Sequence, residues 1–227
     1  MDMGIVLAVM MGAGPVVVEL YTSEGCSSCP PAEATVAVLR DMVRGEHLDV
    51  VFLTEHVDYW DHLGWKDPFS APQFSARQRA LGQRLQARGV YTPQLVVDGR
   101  VEFVGSDRKR ATAAIAKALE RKHAIDLHLG ATRGAGDITI DVELPANAQG
   151  LTLQLAAVSD ESTDVKAGEN SGRTLAHPSV VRAMKSLPIT SAHIHEKLTL
   201  PAGMRATQVV AFVESPDGVE GAAAVTF

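Results

Sequence analysis

The sequence has few cysteines, few aromatic residues and no long apolar run, and each shortage excludes a class of protein. Only two cysteines occur among 227 residues, which excludes a scaffold held together by many disulfides. No apolar stretch approaches the roughly 18 residues of a membrane-spanning helix, so we expect no membrane span. Hydrophobic residues still make up 46% of the chain, which is enough to bury one full core or two.

Positive charge is also scarce. The chain has 21 Lys and Arg against 27 Asp and Glu, for a net charge of −6. Its short basic clusters, Arg108-Lys109-Arg110 and Arg121-Lys122, are predicted to lie on one helix that has acidic residues at its start, which is ordinary charge placement for a helix. Nucleic-acid binding requires a basic face, so the sequence predicts no nucleic-acid partner.

The N-terminal residues allow two interpretations. Met3–Ala13 is apolar and ends in small residues, as in the hydrophobic region and cleavage zone of a signal peptide. However, Asp2 stands where a signal peptide is positively charged, and the first basic residue is Arg40. Residues 1–14 are therefore either the remnant of a signal peptide or an N-terminal extension of a cytoplasmic protein.

The two cysteines lie in the segment Cys26-Ser27-Ser28-Cys29. This segment follows the apolar run Val16–Tyr21, which predicts a buried strand, and precedes Pro30–Glu33, which predicts the first turn of a helix. The N-terminus of a helix favours a thiolate, and a two-residue spacer lets a disulfide close and reopen. We therefore predict a redox dithiol with Cys26 as the exposed nucleophile and Cys29 as the resolving thiol.

Two other roles for the cysteines remain open. The first is a static staple, although so short a loop stabilises the chain little. The second is half of a zinc or copper site, which needs further ligands, the nearest candidates being His56 and His62. The redox interpretation, which we favour, requires no metal and no other cofactor.

A second segment is a Thr92-Pro93 step followed at once by the apolar residues Leu95–Val97 and the turn residues Asp98-Gly99. Together with the cysteine segment it resembles the thioredoxin superfamily, over about residues 16–122. The resemblance implies that Pro93 is cis and lies beside the dithiol. It also implies that Thr92 and Pro93 hold an extended segment of a substrate.

Three longer segments are similar to a bacterial family of secreted thioredoxin-like proteins known only as a domain of unknown function (family number 1223). They are Glu19–Ala32, His56–Phe69, and Gly168–Leu175 with His177. The likeness spans nearly the whole chain and favours a periplasmic or secreted location over a cytoplasmic one. It does not decide the roles of Arg173 and His177, which belong either to an interdomain polar network or to an anion site.

Glu19 is a candidate for proton transfer by the same resemblance. Thioredoxin carries an aspartate on the equivalent strand, one residue closer to its first cysteine than Glu19 is to Cys26. The resemblance implies that Glu19 is a buried carboxylate that assists the dithiol. A side chain held in a salt bridge is the alternative.

The segment His56–Phe69 contains Tyr59 and both tryptophans, Trp60 and Trp65. It is predicted to leave the end of a strand parallel to the strand before Cys26, and ligand sites of open α/β sheets lie beyond such ends. We therefore expect this loop to border the dithiol. It is either a substrate-binding wall or a surface that packs a second domain.

The pattern of elements predicts two domains. Residues 15–123 follow the order β-α-β-α-β-β-α, the thioredoxin core without its extra N-terminal strand and helix. Residues 124–227 alternate with period two between turns rich in Gly and Asn, although Ser179–Leu187 also fits a helical turn. The predicted fold class is an α/β thioredoxin-like domain followed by an all-β, antiparallel sandwich-like domain.

The sequence thus favours a thiol–disulfide oxidoreductase with protein or small-molecule thiols and disulfides as partners. The alternative from another functional class is a non-catalytic binding or assembly module, or a metal-binding variant that uses the two cysteines. The residues themselves identify neither the substrate, the direction of electron flow nor the oligomeric state.

Overall fold

The computed structural model describes residues 14–227, so the targeting segment predicted at Met3–Ala13 lies outside the described residues. Within that range the chain forms three α-helices and eleven strands. The α-helices are α1 Pro30–Gly45, α2 Pro72–Arg84 and α3 Arg108–Leu119. The strands are β1 Val16–Thr22, β2 Val50–His56, β3 Gln94–Val97, β4 Val101–Val104, β5 His128–Arg133, β6 Asp137–Glu143, β7 Thr152–Asp164, β8 Thr174–Pro188, β9 His193–Thr199, β10 Gln208–Ser215 and β11 Gly218–Thr226.

Two short 3₁₀ helices, Asp58–Leu63 and Ala146–Ala148, complete the elements. The order predicted over residues 16–122 is found, with the first 3₁₀ helix added inside the aromatic loop. None of the helices in residues 14–227 combines the length and the hydropathy that crossing a bilayer requires.

The chain divides into two compact units. The dithiol unit consists of Val16–Arg121 and Asp160–Val181, and the second unit consists of Lys122–Ser159 and Arg182–Phe227 with the described residues before Val16. The second unit has the three-stranded sheet β5-β6-β9 and a core of its own. Its largest fully buried side chains are Ile138, Ile140, Leu153, Leu155 and Phe212.

In the dithiol unit β1 is a central strand because its mostly apolar side chains can be covered on both faces. It pairs in parallel with β2, with Val16 opposite Val50 and Thr22 opposite His56. It also pairs antiparallel with β3. The carboxyl ends of β1 and β2 therefore meet at one edge of the sheet, and the loops that follow them begin side by side.

The two faces of β1 pack against different helices, because successive side chains of a strand point to opposite faces. Val16, Val18 and Leu20 pack on α1 and α3 in one cluster. Tyr21, on the other face, packs with Leu81 of α2 in another cluster. The buried members contributed by α1 and α3 are Ala32, Val36, Leu39, Val43, Ala111, Ile115 and Ala118.

Two of the helices begin at prolines. Helix α1 begins at Pro30, after the N-cap residue Cys29, so its first turn is the predicted Pro30–Glu33. Prolines suit a first turn because no intrahelical partner awaits their missing N–H groups. Helix α2 also begins at a proline, Pro72. It ends at Arg84, and the chain then turns through Gln86, whose φ is 54°.

The predicted fold class is wrong. The strands form an eight-stranded mixed sheet, in the order β11-β10-β7-β8-β2-β1-β3-β4, and a three-stranded sheet, and not an α/β domain followed by a separate all-β domain. The long strands β7 and β8 each contribute residues to both units, so residues 160–181 return to the unit of the cysteines. Period-two alternation predicts a strand but not its partner. Ser179–Leu187, whose type was ambiguous, lies within β8, and Val180 pairs in parallel with Thr54 of β2.

Candidate functional site

The two cysteines form a disulfide at the N-terminus of α1. The Cα atoms of Cys26 and Cys29 are 5.4 Å apart, and the backbone N–H groups of Ala32 and Glu33 donate to the carbonyl of Cys29 at 2.8 and 3.2 Å. Both cysteines are fully buried, whereas Ser27 and Ser28 between them are exposed. The exposed position predicted for Cys26 is therefore wrong.

Residues 168–173, here called the cover segment, are hydrogen-bonded to the backbone of the cysteine loop. The side-chain amide of Asn170 donates to the carbonyls of Glu24 and Cys26 at 2.8 and 3.0 Å. The guanidinium of Arg173 donates to the Asn170 side-chain oxygen at 2.7 Å, and Glu169 accepts from the backbone N–H of Ser27 at 3.0 Å. These bonds hold a segment distant in sequence against the loop.

His177 on β8 joins the two acidic residues that flank the cysteines in sequence. Its Nδ1 lies 2.5 Å from Oε2 of Glu33, and its Nε2 lies 3.0 Å from Oε1 of Glu24. Burial opposes protonation of the ring, but the hydrogen bonds from Glu24 and Glu33 outweigh it and raise the pKa of His177 to about 9. At neutral pH the ring is therefore a cation that donates to both carboxylates.

A second buried histidine, His56 at the end of β2, lies against the first. Its Nδ1 is 2.7 Å from Oδ2 of Asp67, and that oxygen also accepts from the backbone N–H of Glu24 at 2.8 Å. Burial favours the neutral form of Asp67, but the charge and hydrogen bond of His56 outweigh it and lower the pKa of the carboxyl. The His56 and His177 rings meet edge to face, with centroids 4.9 Å apart.

The same residues supply a set of potential metal ligands. One ligand atom from each of Glu33, His56 and His177 lies within 4.8 Å of the others, and all three residues are buried. The sequence indicated His56 as a ligand only in combination with the cysteines. It did not indicate that Glu33 and His177 would join it.

The aromatic loop borders the cysteine segment, as the sequence predicts. A side chain added at Gly25 would meet Cβ of Trp60 at 3.0 Å, and the Trp60 indole donates to Oγ1 of Thr92 at 2.9 Å. The Trp65 indole donates to Oε2 of Glu24 at 2.6 Å. Trp60 therefore lies beside Gly25, and the Trp65 ring contacts Glu24, so both residues lie next to the segment directly before Cys26.

Three further predicted residues lie around this arrangement. The Thr92–Pro93 bond is cis, as the resemblance implies. A side chain added at Gly105 would lie 3.5 Å from Cβ of Pro93 and 3.1 Å from Cβ of Ala32, which places Pro93 near the first turn of α1. The hydroxyl of Tyr59 donates to Gln78 of α2 at 3.1 Å.

Glu19 is held away from that turn. It lies on the α2 side of β1, where it accepts from Arg77 Nε at 2.7 Å and from the Tyr21 hydroxyl at 3.2 Å. The salt-bridge interpretation of Glu19 therefore describes its contacts. The carboxylates that flank the disulfide are Glu24 and Glu33, which the sequence analysis did not select.

Comparison with known proteins identifies a family and a structural relative. The family model described as "Protein of unknown function (DUF1223)" matches residues 17–214. The crystal structure of protein AGR_C_4864 from Agrobacterium tumefaciens is 25% identical, with 96% of each chain covered and a TM-score of 0.66. No curated protein matches the chain.

We predict that His177 stabilises the native state at neutral pH and loses this effect in alkaline solution. Its pKa of about 9 in the folded protein exceeds the value of about 6.5 for an unperturbed histidine, so the native state binds the proton more tightly. The contribution is full below about pH 6.5 and is lost as the pH rises through about 9. Urea unfolding in a chelating buffer should show wild type losing its advantage over His177→Gln across this window.

The exposed residue His62 supplies the control, because His62→Gln should leave the wild-type pH profile unchanged. Parallel stability profiles for wild type and His177→Gln from about pH 6 to pH 9.5 would show that His177 does not hold this proton.

Proposed function

The chain belongs to the family of proteins of unknown function (DUF1223), and we propose that it is a thiol–disulfide oxidoreductase that uses Cys26 and Cys29. One observation carries the proposal. The disulfide at the start of α1 lies between Glu24 and Glu33 in sequence, and these buried carboxylates share the imidazole of His177. A static staple needs no such group of acids and bases beside it, whereas thiol exchange needs proton acceptors and donors.

The reaction is a reversible exchange of two electrons. In the reducing direction the Cys26 thiolate attacks one sulfur of a substrate disulfide, and the other substrate sulfur leaves as a thiolate. The Cys29 thiolate then attacks Sγ of Cys26, which releases the second substrate sulfur and forms the Cys26–Cys29 disulfide. The substrate gains the two electrons that the cysteines lose, and an external dithiol restores the reduced protein.

The position of Cys26 before α1 favours its thiolate, since the positive end of the helix macrodipole stabilises negative charge. Glu24, Glu33 and His177 replace Glu19 in the proposal as the groups that exchange protons, because Glu19 is paired with Arg77. The backbone beside Thr92 and Pro93 holds an extended substrate segment, with Tyr59, Trp60 and Trp65 as its aromatic border. The partners are protein or small-molecule thiols and disulfides.

Access to the sulfurs requires the cover segment to move, because both cysteines are fully buried. The hydrogen bonds of Asn170 and Glu169 to the cysteine loop are the contacts that must break. Gly168 and Gly172 flank these residues at φ of 74° and 79°, a conformation that glycine adopts without strain. A substrate that competes for the loop carbonyls would displace the segment.

Two observations support an oxidising location for this chemistry. A disulfide persists in the periplasm or outside the cell and is rare in the cytosol. The family-like segments of the sequence resemble secreted proteins. We therefore place the protein in the periplasm or among secreted proteins, and its partners in the same compartment.

Cys29→Ser should trap substrates as mixed disulfides on Cys26, because the thiol that resolves the intermediate is gone. The measurement is mass spectrometry of adducts after incubation with glutathione disulfide and with a disulfide-bonded protein such as insulin. Cys26→Ser is the matched control and should accumulate far less adduct. Equal, slight adduct formation by both variants would indicate a static staple.

Asn170→Ala should speed reduction of the disulfide, because it removes the two bonds that fasten the cover segment to Glu24 and Cys26. We expect at least about a threefold increase in the rate of reduction by a phosphine, read by alkylation of the released thiols. Ser171→Ala is the control, since Ser171 donates to Lys166 within its own exposed loop. Identical rates for all three proteins would show that the cover segment does not limit access.

A further inference from the structure

His56 has an unused ligand atom in the interior. Its Nδ1 is held by Asp67 at 2.7 Å, and its side chain is fully buried. Its Nε2 has no hydrogen-bond partner within residues 14–227. A buried polar atom left without a partner costs free energy. A carboxylate that fixes one nitrogen of an imidazole and leaves the other free is also how proteins orient histidines toward metal ions.

His56 belongs to a cluster of ligand atoms with Glu33 and His177, and Nε2 is the nitrogen of His56 that Asp67 leaves available. The three atoms lie within 4.8 Å of one another, whereas ligands of a tetrahedral Zn²⁺ at about 2.0–2.2 Å lie roughly 3.5 Å apart. The side chains therefore need to close by about 1 Å. The ion would replace the proton that His177 shares with Glu33, because one ring nitrogen cannot hold both.

Charge also favours a cation at this cluster. Three buried carboxylates, on Glu24, Glu33 and Asp67, face two imidazoles. An imidazole that binds a metal through Nε2 is neutral, so the three carboxylates outnumber the one remaining imidazolium, on His177, by two charges, which is costly in the interior. A divalent ion in place of the His177 proton reduces that excess.

A cleft gives an ion a route from solvent. Glu33 and His177 both line a cleft of about 470 Å³, whose other walls include Ala37, Arg40 and Leu175. Two of the three ligand residues therefore lie at the wall of the cleft, where a small movement of neighbouring side chains would expose them. His56 lies behind them, in edge-to-face contact with His177.

We propose that Glu33, His56 and His177 bind one divalent transition-metal ion, with zinc as the ion that the ligand set fits best. Two imidazoles and one carboxylate are a ligand set that Zn²⁺ takes in proteins, whereas Mg²⁺ and Ca²⁺ prefer oxygen ligands alone. Asp67 orients His56 from behind. The site contains no sulfur, but it shares Glu33 and His177 with the proposed exchange reaction.

Titration of the chelator-treated, disulfide-bonded protein tests the site, because the oxidised protein has no thiolate to offer. We expect one equivalent of Zn²⁺ by calorimetry and a rise in melting temperature on binding. One equivalent of Co²⁺ should give visible d–d bands without a thiolate charge-transfer band. Mg²⁺ should produce neither signal.

Variants locate the ligands. His56→Ala should weaken Zn²⁺ binding at least about 100-fold, and Asp67→Asn about 10-fold. His62 is exposed in the adjacent 3₁₀ helix, so the control His62→Ala should bind Zn²⁺ as the wild type does. The double variant Cys26→Ser/Cys29→Ser should keep the affinity, which separates this site from the redox proposal. Circular dichroism verifies that each variant is folded.

The absence of Zn²⁺ binding by the oxidised wild type overturns the proposal. So does unchanged affinity in a folded His56→Ala variant. If His56→Ala does not fold, the proposal is tested by the Zn²⁺ affinity of Asp67→Asn and by the cobalt spectrum of the wild type. Unchanged affinity in Asp67→Asn together with no d–d bands would overturn it. A spectrum with thiolate character in reduced protein, and no binding in oxidised protein, would assign the metal to the cysteines instead.

Discussion

The hydrogen bonds of His177 to Glu24 and Glu33 are the contact on which the surroundings of the disulfide depend. One imidazole fastens β8 to the residue two positions before Cys26 and to the first turn of α1. It thereby fixes both ends of the cysteine loop. The positively charged ring thus donates a hydrogen bond to each of two buried acidic side chains. The cover segment adds further hydrogen bonds to the cysteine loop.

The parallel register of β1 and β2 sets where these groups meet. Thr22 pairs with His56, so the cysteine loop and the aromatic loop start from adjacent points at one edge of the sheet. Asp67 then accepts from the backbone of Glu24 and from His56 together. The indole of Trp65 reaches Glu24 from the same loop. The disulfide, the buried acids Glu24, Glu33 and Asp67, and the two buried histidines consequently occupy one small region of the dithiol unit.

The parts of this site that are local in sequence could be predicted. The apolar run of β1, the proline start of α1 and the Thr92–Pro93 step each carry their own signal. Non-local parts could not be predicted in the same way: His177 lies 144 residues from Glu33, and strand alternation does not say that β8 pairs with β2. The fold class failed for the same reason. The burial of Cys26 was not predicted, because the segment that bonds to its loop, residues 168–173, is distant in sequence.

The Cys26–Cys29 disulfide is proposed to be a reacting group and not a structural staple. Its reduction potential distinguishes these two roles. The protein is equilibrated in thiol–disulfide buffers of graded potential, and the thiols are then quantified by rapid alkylation and mass spectrometry. We expect a reversible two-electron transition at a potential above about −300 mV, the range of disulfides that take part in exchange. A disulfide that stays closed to well below about −300 mV, as structural disulfides do, would contradict it.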